Sequence, residues 1–183
     1  LISRYANSQN KIEEADLAAN DSFHVSLEQE SKKVWTPAPT GVVQTHWFYE
    51  RARGQYRDAE ARLPTPARKK AFRKENPKDQ KITKVDIARF INAWDGQPDT
   101  VSKGNQKNFA AFTVRMTSMG GAIVNRELFQ RLVAMAILFG AATKMARAYP
   151  AYKANITTYT VAWLAARSAQ RLDLDRIWRE QRS

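Results

Sequence analysis

The sequence predicts a mainly α, multi-helix domain. Three observations carry that prediction. Apolar residues recur at helical spacing from Thr83 to Trp94 and again from Asn105 to Ser118. Residues 125–149 are apolar nearly all round between Leu132 and Ala142, as a central helix must be. Alternation with period two is confined to one short candidate strand, VVQTHW at 42–47.

The elements follow in chain order. Residues 12–19, IEEADLAA, are good helix formers with acids early. Asp21 or Ser22 can cap a second helix, FHVSLEQESKKV, with Phe23, Leu27, Ser31 and Val34 on one face. WTPAPTG ends it with two prolines and a glycine. WFYERARGQY at 47–56 reads as a helical segment in which Glu50 faces Arg53 at i,i+3. A glycine inside a helix costs about 1 kcal/mol relative to alanine, so Gly54 marks a helix end or a close approach. In LPTPARKKAFRKENP, Thr65 caps a short helix with Pro66 in its first turn, and Pro77 closes it. Thr83 and Asp86 form a capping-box-like pair at the head of TKVDIARFINAW, whose Val85, Ile87, Ala88, Ile91 and Trp94 fall near one face. NQKNFAAFTVRMTS follows, with Phe109, Phe112 and Met116 along one side, and Gly120–Gly121 breaks it. The long helix at 125–149 stops at Pro150, NITTYTVAWLAARSAQ starts from an Asn155 cap, and DLDRIWREQR closes the chain.

With 183 residues, 43% of them hydrophobic, the chain can bury one core or two small ones. It starts on Leu1 and on LISRYAN, which looks like the end of a helix. The expectation is an internal piece of a longer protein, with residues 1–36 completing an upstream α/β domain and 37–183 forming a helical domain. No cysteine is present, which excludes disulfides and thiolate zinc sites. His24 and His46 are the only histidines, too few for a multi-histidine metal centre. No charged segment precedes an apolar one at the start, and VAMAILFGAA at 133–142 is shorter than the roughly 20 residues of a bilayer span. A cytoplasmic protein with no membrane contact fits these features.

Net charge is +12. Residues 46–84 carry twelve Lys/Arg against five Asp/Glu, and residues 103–183 thirteen against four, while the first 45 are slightly acidic. A cationic excess spread over two large segments points to nucleic acid or another polyanion. An ordinary basic surface, covered by a partner domain, gives the same composition.

Three motifs carry chemistry. In NSQNK at 7–11, the amides of Asn7, Gln9 and Asn10 can read bases, ribose or backbone, or can satisfy the main chain of a helix-ending turn. In WFYERARGQY, the aromatic faces can stack on bases and the arginines can meet phosphate, or Glu50 and an arginine can form a buried pair beneath an aromatic lid. In PDTVSKGNQKNF, Ser102, Lys103, Gly104, Asn105, Lys107 and Asn108 make a basic turn leading into a helix, able to hold a phosphate or simply to cap. It lacks P-loop spacing, and no cofactor fingerprint occurs. Metal-dependent cleavage would need converging acids, for which Glu50, Asp58 and Asp86 are candidates, and a divalent metal enters only if the whole protein is a nuclease.

The blocks ISRYANSQNKIEEADLAANDSFHVSLE, WFYERARGQY, NPKDQKITKVDIARFINAW and PDTVSKGNQKNFAAF, in that order over residues 2–112, resemble the C-terminal half of the AIPR family. These are bacterial proteins named for abortive infection and phage resistance. YKANITTYTVAWLA is similar to the family's closing helix. The resemblance implies phage defence that acts on or senses nucleic acid. It carries over Asn7, Gln9, Asn10 and Lys11; Tyr49, Glu50, Arg51, Arg53, Gly54 and Gln55; and Lys84, Asp86, Ser102, Lys103, Gly104, Lys107, Asn108 and Phe109. The partners it implies are nucleic acid and the upstream half of the same protein. Two classes of function remain open: a nucleic-acid-binding part of a nuclease-type effector, and a helical interaction or regulatory module that docks a partner defence protein or senses a phage product, with a homo-oligomer among the partners.

Overall fold

The computed structural model describes residues 21–38, 40–118, 123–148, 156–167 and 173–181. They are mainly α-helical, with a single two-stranded pairing among them. Helix α1, Ser22–Lys33, is capped by Asp21, whose carboxylate accepts the Phe23 N–H at 2.8 Å. It turns His24, Leu27 and Ser31 inward, and Phe23 lies partly buried beside them. Strand β1 is Phe48–Glu50 and strand β2 is Lys81–Thr83. The two run parallel, with Phe48 opposite Lys81, Tyr49 opposite Ile82 and Glu50 opposite Thr83. Parallel strands need a crossover, which here contains α2, Gln55–Ala61, and α3, Pro66–Glu75.

Helix α4, Lys84–Trp94, starts directly from β2. Both halves of its capping box form: the Thr83 hydroxyl accepts the Asp86 N–H at 3.2 Å, and the Asp86 carboxylate accepts the Thr83 N–H at 3.0 Å. Thr83→Ala removes one acceptor from the helix start and is expected to cost about 1 kcal/mol in urea unfolding. Helix α4 buries Ile87, Ala88, Phe90 and Ala93 against its surroundings. It touches α5, Pro98–Ser102; α6, Asn105–Ser118; α7, Arg126–Ala148; and α8, Ile156–Arg167.

Helix α7 is the second axis of the core. It buries Phe129, Leu132, Val133, Ala134, Met135, Phe139 and Ala142 and packs on α1, α4, α8 and α9, Leu174–Glu180. The Phe90 and Phe139 rings meet at 4.8 Å between centroids. At 23 residues α7 exceeds the apolar run marked in the sequence, and by length and composition alone it could cross a bilayer. Core helices pass the same test, and the inward residues of α7 belong to one cluster with Leu27, Ile82 and Ile87. Trp47 closes the molecule by donating its indole N–H to Gln181 at 2.8 Å.

Two expected elements differ. VVQTHW is not a strand: His46 forms an isolated antiparallel bridge with Trp35, and their rings lie 3.7 Å apart. WFYERARGQY is not a helix but β1, a turn at 51–54 and the start of α2. Strand β2 left no mark in the sequence because three residues are too few to show a period. The described part of residues 1–36 contributes α1 to the common core. The helix expected at 12–19, the break at Gly120–Gly121, Pro150 and the Asn155 cap lie outside the described residues.

Candidate functional site

Charged and polar side chains converge where β1 and β2 end. Glu50 is buried, 7% exposed, at the last position of β1. Its two oxygens accept the N–H groups of Gly54 and Tyr56, each at 3.3 Å, and Lys81 Nζ lies 3.3 Å away. Gln55 Oε1 accepts the N–H groups of Arg51 and Ala52 at 3.0 and 3.1 Å. Two side chains thus satisfy four backbone donors of one tight turn. Gly54 sits at the head of α2 with φ of 84°, the left-handed region. An added Cβ would meet only the Arg57 side chain, at an ordinary 3.7 Å, so backbone conformation rather than close approach requires glycine.

Helix α1 supplies the other wall. Arg51 Nε donates to Glu28 Oε2 at 2.7 Å, and Lys32 reaches the same carboxylate at 2.6 Å. Desolvation pushes the Glu28 carboxyl up, but hydrogen bonds from Lys32, Arg51 and Gln55 outweigh it and bring the pKa down to about 2. One turn earlier, His24 Nδ1 and the Tyr49 hydroxyl share a hydrogen bond of 2.6 Å. Burial pushes the Tyr49 phenol far up. Burial also lowers His24 to about 4; Asp21 opposes this, while Lys84 and Arg51 reinforce it. Opposite Glu50 on β2, Thr83 is held by Asp86, which also pairs with Arg89.

The fold therefore brings Tyr49, Glu50, Arg51, Gln55 and Asp86 into one neighbourhood. Each has a structural partner there. Glu50 anchors the turn and pairs with Lys81 on β2, a partner the helical reading does not offer. Arg53 is exposed on the turn, and Asp58 is exposed on α2. Among the described residues no group of three or more His, Asp or Glu converges to hold a metal ion. His24 and Glu28 are part of this cluster although no sequence motif singles them out.

Ser102, Lys103, Lys107 and Asn108 belong to α5 and α6 instead. Ser102 donates its hydroxyl to the Pro98 carbonyl at 2.9 Å. Gly104, at φ of 99°, carries the chain between the helices, and Lys103 and Lys107 are exposed. Asn108 is buried and accepts from Asn92 Nδ2 at 2.7 Å, and Phe109 beside it lies in the core. Asn7, Gln9, Asn10 and Lys11 lie outside the described residues.

The aromatic rings of the motif face inward. Phe48, Tyr56 and Phe72 form a cluster with centroids 5.1 to 6.1 Å apart, and the Tyr56 hydroxyl donates to the Asn76 carbonyl at 2.7 Å. Together with the inward Tyr49, they serve packing in this fold rather than offering a stacking platform.

A family model described as AIPR protein matches residues 1–183. No curated protein and no solved structure matches the chain.

Proposed function

The chain belongs to the AIPR (abortive infection phage resistance) family, and from that membership we propose that it is the nucleic-acid-binding part of a cytoplasmic phage-defence protein. The observation that carries the reading is electrostatic. The chain has a net charge of +12, and Arg53, Lys103 and Lys107 hold their charges at the surface. Glu50 is committed to the turn and Glu28 to Arg51. In this reading Glu50, Gln55 and Asp86 are scaffold, Arg51 fixes α1 to the turn, and contact with phosphate falls to the exposed cations. Nuclease-type action belongs to the whole protein, with residues 1–36 at the junction to an upstream domain and 37–183 forming the helical part.

Fluorescence anisotropy of labelled DNA and RNA at low and near-physiological salt tests the proposal. Binding is expected to weaken steeply with salt. Lys103→Ala/Lys107→Ala is expected to weaken it several-fold and to leave the unfolding midpoint unchanged, since both side chains are exposed. The absence of binding at low salt would remove the proposal. Arg51→Ala is a poor probe, because it also removes the bond that ties Glu28 of α1 to the turn.

One observation favours a second reading, a protein-interaction module. Met145 on α7 and Tyr159 and Trp163 on α8 are exposed by 64%, 45% and 56% on helices that pack together. Stable self-association without nucleic acid would support it.

A further inference from the structure

Resting on the nucleic-acid reading, we infer that the outer face of α3 is a docking surface for the phosphate backbone of a duplex. No motif discussed above includes this face. Between Arg53 and Lys81 the chain carries ten Lys/Arg against four Asp/Glu. Helix α3 lies in the middle of that stretch and buries no residue. Its Phe72 packs at 5.2 Å on Tyr56 and closes the cluster with Phe48. Lys70 and Lys74 stand two residues to either side of Phe72. At about 100° per residue, both therefore project roughly opposite to it, one turn apart.

Both lysines are exposed, and neither forms an ion pair among the described residues. Arg73 flanks them and uses its Nε to hold Glu60 at 2.8 Å, which neutralises a carboxylate of the facing helix α2. The platform is fixed at its far end: the His46 N–H and the Tyr56 hydroxyl both donate to the last carbonyls of α3 and its cap, each at 2.7 Å. A rigid, cationic helix held away from the core meets the requirement for backbone contact.

The ligand class follows from what this face lacks. Single-strand binders present aromatic rings on which successive bases stack. Here Phe48, Tyr56 and Phe72 pack on one another beneath α3. The face offers point charges without stacking surface, which suits the evenly spaced phosphates of a duplex and carries no sequence information.

Titrating Lys70→Gln/Lys74→Gln against double- and single-stranded DNA and RNA over a salt series tests this. The charge-matched control is Lys144→Gln/Arg147→Gln on α7, where both residues are exposed. The Lys70→Gln/Lys74→Gln variant is expected to lose about tenfold or more in duplex affinity and to reduce the magnitude of its log–log salt slope by about 2, one unit per lost phosphate contact. Its circular dichroism and unfolding midpoint should match the parent. The control should keep the parental slope.

Equal losses in both variants would reduce the effect to net charge and overturn the inference. So would parental binding by the α3 variant, or tighter binding of single strands than of duplex. If the parent chain binds no nucleic acid, the underlying functional reading fails. Binding to phosphatidylserine vesicles alone would reassign the surface to a membrane.

Discussion

Glu50→Ala is expected to destabilise the domain by about 2 to 4 kcal/mol, the cost of leaving two buried backbone donors without their acceptor. The carboxylate is 7% exposed and accepts the Gly54 and Tyr56 N–H groups while facing Lys81 Nζ. Alanine leaves two backbone donors and one ammonium group without that partner. It also releases the turn that sets Tyr56 against Phe72 and Phe48, so the loss spreads from electrostatics into packing. Glu50→Gln keeps one acceptor oxygen but turns an amide N–H toward a backbone donor, and about 1 to 3 kcal/mol is expected. Urea unfolding of the three proteins separates scaffold from chemistry. A Glu50→Gln protein as stable as the parent would contradict the scaffold role and return Glu50 to the catalytic candidates.

Helices were legible where a local rule was sufficient. Thr83 with Asp86, Thr65 with Pro66, and Asp21 each act within three residues, and all three form as the sequence implies. The inward face of α4 was legible in part: Ile87 and Ala88 are buried and Val85, Ile91 and Trp94 partly so, but Phe90, Ala93 and the polar Lys84 and Asn92 are buried as well. WFYERARGQY was misread because its geometry depends on a strand more than 30 residues away. Phe48–Glu50 becomes a strand by pairing with Lys81–Thr83, and a three-residue strand has no period to read. The same distance hid the roles of the charges. Arg51 answers to Glu28 on α1, and Glu50 to Lys81 on β2, neither at a spacing that helical pairing would suggest. Exposure decided the remainder: Asn108 and Lys107 are adjacent in a polar motif, yet one is core and the other is surface.

Acid should weaken the fold in two stages, and His24 should account for the first. The unfolded chain takes up a proton at His24 near its ordinary 6.5, the folded chain only at about 4, because burial beside Tyr49 disfavours the charged ring. Between those values the unfolded state holds the extra proton, so stability falls as pH falls. The full loss is about 3 kcal/mol once both values are passed. Glu28 adds a second stage. Its carboxyl is protonated near 4.5 in the unfolded chain and at about 2 in the folded one, so the contribution of its pairing with Lys32 and Arg51 is lost from about 4.5 downward. Urea unfolding between about pH 7 and about pH 4 reads the first stage. His24→Asn removes the titrating ring and should flatten that part of the profile, while leaving the decline below about 4.5 in place. An unchanged slope in the variant would mean that the folded protein protonates His24 as readily as the unfolded chain does. That result would also undo the internal placement of the His24–Tyr49 pair.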